Sequence, residues 1–93
     1  MDYQTEGIRR VAAKLHSEGM TVPSKRTQTE VGAAIASLRK SHRQVLEQIY
    51  GLQTNSKPKT EMKLAQDRGI NLFFIQQDHR VALEALYRRL TAE

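Results

Sequence analysis

Between Arg39 and Arg80 the chain gathers the side chains that bind anions or read hydrogen-bonding patterns. Residues 25–68 carry Lys25, Arg26, Arg39, Lys40, Arg43, Lys57, Lys59, Lys63 and Arg68 against only Glu30, Glu47, Glu61 and Asp67. The flanks balance: Arg9, Arg10 and Lys14 against Asp2, Glu6 and Glu18 before it, and Arg80, Arg88 and Arg89 against Asp78, Glu84 and Glu93 after it. The net charge of +5 therefore belongs to the middle of the chain. A concentrated positive field favours nucleic acid or another polyanion through phosphate neutralisation and counterion release. A basic surface without a dedicated partner is the plainer alternative.

Asn71, Gln76, Gln77 and Arg80 come after this segment, and a glutamine can bind adenine through two hydrogen bonds. Lys57, Lys59, Lys63 and Arg68 would then hold phosphates and fix orientation without reading sequence. Arg39, Lys40 and Arg43 extend the track, and lysines near a helix start oppose its dipole unless an anion offsets them. Solvated helix faces have the same composition, so these residues are candidates. Leu72, Phe73 and Phe74 suggest a second chemistry. Adjacent phenylalanines cannot easily be buried by one helix against one neighbour. Either both find room in a small core, or one faces a homodimer or a partner protein.

Other chemistries find little support. The absence of Cys removes disulfides, thiolate zinc sites and thiol nucleophiles. His16, His42 and His79 lack metal-ligand spacing and read as surface or helix-packing residues. No paired carboxylates, Gly-rich phosphate loop or Ser/His/Asp order stands out. A chain of 93 residues and 10.6 kDa has room for one domain and little for a catalytic pocket, so neither enzymatic activity nor a cofactor is expected. The longest apolar run, 70–75, is broken by Asn71 and cannot span a bilayer, and no signal peptide is visible. The expectation is a cytoplasmic protein with no membrane partner.

The positioning elements read as helices throughout. Ile8, Val11, Ala12 and Leu15 form one apolar face of a helix over about 5–18, with Gly19 and Pro23 as stops. Thr27-Gln28-Thr29-Glu30 has the form of a capping box and opens a second helix with Val31, Ala34, Ile35 and Leu38 inward. Ser41-His42-Arg43-Gln44 offers another box, followed by Val45, Leu46, Ile49 and Tyr50; a continuous helix also fits, but a break near Arg39-Lys40 is preferred. After Gly51 and a polar loop, Thr60 caps a short helix over 61–68, with Leu64 and Ala65 inward and Met62 a further candidate for that side. Gly69-Ile70-Asn71 turns the chain into a long last helix whose inner side is Leu72, Ile75, His79, Ala82, Leu83, Leu86 and Leu90. The fold class is all-α: a small bundle of four to five helices with a C-terminal helix-turn-helix.

A short helix, a three-residue turn with Gly and a second helix make the helix-turn-helix arrangement. With Leu38, Arg43-Gln44-Val45-Leu46, Tyr50-Gly51-Leu52, Leu64, Ala65, Gly69-Ile70, Ile75, Gln77 and Ala82-Leu83, the stretch 38–90 resembles the fourth conserved region of bacterial sigma factors. The whole chain, with its N-terminal helices over 1–37, is also similar to the phage antitermination protein Q family and related late-gene regulators. The resemblance implies a promoter-reading helix whose base-contacting positions match Leu72, Phe73 and Gln77. Only Gln77 keeps the polar chemistry; Asp78 and Arg68 stand where the family has apolar residues. The resemblance leads to the expectation of a DNA-binding transcription regulator in a bacterial cell or phage-infected host, acting on double-stranded DNA near promoters through RNA polymerase. The rival is a protein-interaction module that grips a polypeptide, such as a polymerase subunit, through Leu72, Phe73 and Phe74. The first helix either completes the core or offers Arg9, Arg10 and Lys14 to a second partner.

Overall fold

The computed structural model describes residues 3–23 and 26–92; Asp2, Lys25 and Glu93, counted in the charge balance, lie outside the described residues. Five helices succeed one another along the chain: α1 Thr5–Ser17, α2 Gln28–Ala36, α3 Lys40–Tyr50, α4 Glu61–Arg68 and α5 Leu72–Thr91. Among the described residues there is no strand. Three helix starts obey local chemistry. Thr27 accepts from the Glu30 amide, Thr60 from the Lys63 amide and Asn71 from the Phe73 amide, each supplying an acceptor that the first turn lacks. At Thr27 the hydroxyl makes its half of the box, while the Glu30 carboxylate pairs with Arg26 at 3.1 Å.

The α2–α3 break falls where expected, but the capping box at Ser41 is not its cause. Helix α2 ends at Ala36, and the Ser37 hydroxyl donates back to the Ala34 carbonyl. Arg39 then becomes the N-cap of α3 without a side-chain cap bond, and Ser41 lies inside the first turn. Helix α4 stops at Gly69, whose φ of +65° is left-handed. The Ile70 amide reaches the Ala65 carbonyl and the Gly69 amide that of Gln66, a Schellman closure.

One apolar cluster joins every helix: Ile8, Val11 and Leu15 of α1, Val31 and Ile35 of α2, Val45, Leu46 and Ile49 of α3, Leu64 and Ala65 of α4, and Ile75, Ala82, Leu83, Leu86 and Leu90 of α5. Each fully buried Leu or Ile contributes about 1.5–3 kcal/mol. Helix α3 packs on each of the others, while α5 packs on α2, α3 and α4. The first helix thus completes the core. Two of its basic residues are tied within the fold: Arg10 donates to the Tyr50 carbonyl at 2.9 Å, and Lys14 pairs with Glu18 at 2.9 Å.

Helix α1 meets the end of α3 through Gly7. A Cβ there would stand 2.8 Å from Leu52 Cδ2, 2.9 Å from the Gly51 carbonyl oxygen and 3.1 Å from Leu52 Cα. Gly32 of α2 is different, because its added Cβ would make ordinary contacts at 3.7 Å with Ile8 and Tyr3. Gly7→Ala is therefore expected to lose about 1–3 kcal/mol in urea unfolding, despite a better helix propensity. Gly32→Ala should gain about 0.5–1 kcal/mol. Equal effects at the two sites would contradict this packing.

Candidate nucleic-acid interface

The basic candidates stand at the start of α3, on the loop 51–60 and on α4, and the polar candidates on the first turns of α5. Gly51 starts the loop with a φ of +60°, and a Cβ on it would come within 2.8 Å of backbone atoms of Lys57 and Pro58. The returning loop is pinned twice more. The Lys59 amide donates to the Ile49 carbonyl at 3.1 Å, and the Gln4 side chain donates to the carbonyls of Gly51 and Ser56. Lys57 and Lys59 consequently stand on an anchored segment immediately before α4.

The basic candidates divide into two sets. Arg39, Lys40 and Lys57 are exposed and have no ion pair or side-chain hydrogen bond among the described residues. The others have protein partners. Lys59 and Lys63 bracket the Asp67 carboxylate at 2.8 and 3.2 Å, Arg43 lies 3.9 Å from Glu47, and Arg68 donates to the Gln48 carboxamide at 3.1 Å. The hydrogen bonds from Lys59 and Lys63 hold the Asp67 carboxyl below the usual carboxylate range. A phosphate at Lys59 or Lys63 must compete with that carboxylate, whereas Arg39, Lys40 and Lys57 meet no such competition.

On α5 the structure sorts the candidates by direction. The Asn71 carboxamide oxygen is committed to the cap at 2.8 Å from the Phe73 amide. Gln76, Gln77 and Arg80 are exposed, with Arg80 3.5 Å from Glu84. Leu72 is half-buried against the core, so it leaves the apolar surface that its position beside Phe73 and Phe74 suggests. Both phenylalanines stay outside, 55% and 56% exposed, which removes the reading in which the core holds them. Met62, a candidate for the inner side, is exposed, as is Ile70 of the turn; α4 turns only Leu64 and Ala65 to the core. Asp78 is exposed, so no carboxylate is buried where the resembled family has an aliphatic residue.

A hydrogen-bonded chain beneath this surface is not foreseen from the sequence. His79 is the one buried polar or charged residue among those described, and both its ring nitrogens are occupied. The Glu61 carboxylate accepts from Nδ1 at 2.9 Å, so in the neutral ring Nε2 accepts the Tyr50 hydroxyl proton at 2.5 Å. The chain ties the end of α3, the start of α4 and the middle of α5. A signal for it exists: a histidine on an otherwise apolar helix face needs polar partners, and Tyr50 and Glu61 are the groups that come within reach. His16 is exposed and His42 half-buried. Among the described residues no three His, Cys, Asp or Glu side chains are grouped to hold a metal, and no helix is long and apolar enough to cross a membrane.

No family model matches this sequence, and no curated protein or solved structure matches it either.

Burial, then the charges of Glu61 and Glu18, raise the Tyr50 hydroxyl above its ordinary pKa of 10.0. Burial and the hydrogen bond to Glu47 push Tyr3 the same way. Above pH 10.0 the unfolded chain loses these protons before the native one does, so the native state binds more protons and stability falls as pH rises. Unfolding free energies measured across that range should show a shallower decline in Tyr50→Phe than in the wild type. At neutral pH the variant should be about 1–3 kcal/mol less stable, since His79 Nε2 loses its partner. An unchanged alkaline slope would mean that Tyr50 is not held in its neutral form.

Proposed function

We propose that the protein is a non-enzymatic, DNA-binding regulator of transcription that acts near bacterial or phage promoters, with RNA polymerase as the machinery it influences. Helix α5 enters the major groove by its first turns, and the basic residues of 39–68 lie along phosphates. One observation carries this reading. The turn 69–71 joins α4 to an α5 whose opposite side is core, leaving Phe73, Gln76, Gln77 and Arg80 exposed directly after a loop and helix that carry Lys57, Lys59, Lys63 and Arg68. The sigma-like sequence pattern over 38–90 agrees with it.

The exposure of Phe73 and Phe74 favours a second reading, in which the same scaffold grips a polypeptide such as a polymerase subunit. Polymerase affinity lost in Phe73→Ala and Phe74→Ala, with duplex affinity retained, would decide for it.

Fluorescence anisotropy with a labelled duplex over a salt series tests the first reading. Affinity should fall steeply with salt, and Arg39→Gln, Lys40→Gln or Lys57→Gln should each reduce the slope of log K against log salt by about 1. These positions are preferred to Lys59 and Lys63, whose replacement also releases Asp67. Affinity indifferent to salt and to these changes would overturn the electrostatic account.

A further inference from the structure

Helix α5 carries a second line of side chains apart from the one that enters the core. Phe74, Asp78, Val81, Ala85 and Arg88, followed by the C-cap Ala92, succeed one another at alternating spacings of four and three residues, which keeps them on one face. All are exposed except Ala85, which is half-buried, and Phe74 and Val81 are 56% and 49% exposed. The Phe73 ring meets that of Phe74 edge to face with centroids 5.8 Å apart, so Phe74 is braced from one side. Gln76 and Arg80 belong to another side of the helix, where they line a cleft with Lys14 and Glu18.

The two charges on this line have no partner in their own chain. The residues one turn from Asp78 are Phe74, Ile75, Val81 and Ala82, none of them basic, and its carboxylate makes no ion pair or hydrogen bond among the described residues. Arg88 is equally unengaged. Glu84, one turn before it, lies 3.5 Å from Arg80 instead. Arg88 also borders the cleft beside α1, yet of the basic side chains there Lys14 and Arg80 each have an acid and Arg88 has none.

The line complements itself when a second copy of α5 runs antiparallel along it. A two-fold axis at the level of Leu83 sets Phe74 of one copy against Ala92 of the other, Asp78 against Arg88 and Val81 against Ala85, because the members of each couple are equally far from position 83. Large then faces small in the apolar layers, and acid faces base in the charged ones, which packs two helices without voids or unpaired charge. Glu84 comes close to its counterpart beside the axis, where Arg80 already offsets it. A parallel pairing would instead oppose Asp78 to Asp78 and Arg88 to Arg88, at a cost. We infer that the protein forms a homodimer by antiparallel pairing of α5 along this line, held by two Asp78–Arg88 ion pairs between the copies. The inference does not depend on the DNA-binding reading.

Analytical ultracentrifugation of the full chain over a concentration series tests it, with charge reversals as the lever. The wild type should pass from monomer to dimer as its concentration rises. Asp78→Arg and Arg88→Glu should each weaken self-association roughly tenfold or more, since either one sets like charges face to face in both charged layers. Mixed in equal amounts, the two variants should dimerise with each other at about wild-type strength, because every charged layer again holds one acid and one base. Circular dichroism melts should match the wild type for both, as Asp78 and Arg88 lie outside the core. A chain that stays monomeric up to about 1 mM would overturn the inference. So would a dimer indifferent to both reversals, or one that the reversals abolish and mixing does not rescue. Capture of RNA polymerase by a monomeric chain, lost in Val81→Arg, would also overturn it and assign the face to another polypeptide.

Discussion

The Glu61–His79–Tyr50 chain is the interaction on which the arrangement of the C-terminal helices depends. Apolar contacts such as Leu64 and Ile75 hold α3, α4 and α5 together, but they are not directional and tolerate sliding. A buried imidazole with a carboxylate on one side and a phenol on the other is directional, and an unpaired buried ring nitrogen costs about 1–3 kcal/mol. One arrangement of the three helices satisfies both nitrogens. That arrangement sets where the exposed face of α5 lies relative to the loop carrying Lys57 and Lys59.

Charge and packing are kept apart in this molecule. The buried side of α5 is apolar except for His79, and the basic side chains stand on α3, the loop and α4. Much of the positive charge is neutralised internally: Asp67 bridges two lysines, Glu47 lies beside Arg43, and Glu30 pairs with Arg26. The field that remains is carried chiefly by Arg39, Lys40, Lys57 and Arg68, whose partner Gln48 is neutral, with one charge left over where Lys59 and Lys63 share Asp67. Arg39 and Lys40 occupy the first positions of α3, where a cation opposes the helix dipole and the cap lacks a side-chain acceptor. A nearby phosphate would relieve both.

Much of the fold is legible in the sequence because its punctuation is local. Thr27, Thr60 and Asn71 announce helix starts through side chains that reach only two or three residues ahead, and Gly51 and Gly69 announce stops through a conformation that glycine adopts without a Cβ penalty. The Ser41 box misleads because Ser37 closes α2 first and shifts the next start by two residues. Directions are harder to read than boundaries. Met62, Ile70, Phe73 and Phe74 are apolar and lie in or beside helices, yet whether each turns inward depends on how α4 and α5 cross. The candidate site is legible as a set of residues but not as a division between engaged and unengaged ones. That division depends on contacts between residues distant in sequence, such as Arg68 with Gln48 and His79 with Tyr50.

The reach of α5 ties the two parts of the chain into one. Its first turns display Phe73 and Gln77, while its far end buries Leu86 and Leu90 in the common core, and α2 packs on it. Arg26 donates to the Leu90 carbonyl, and Arg89 donates to the Ser37 hydroxyl. A single helix thus belongs to both parts and carries contacts between them. The division at residues 37 and 38 marks a change in sequence pattern, not a seam along which the molecule separates. Packing against α3 and against the far end of α5 is what the N-terminal helices contribute to the core.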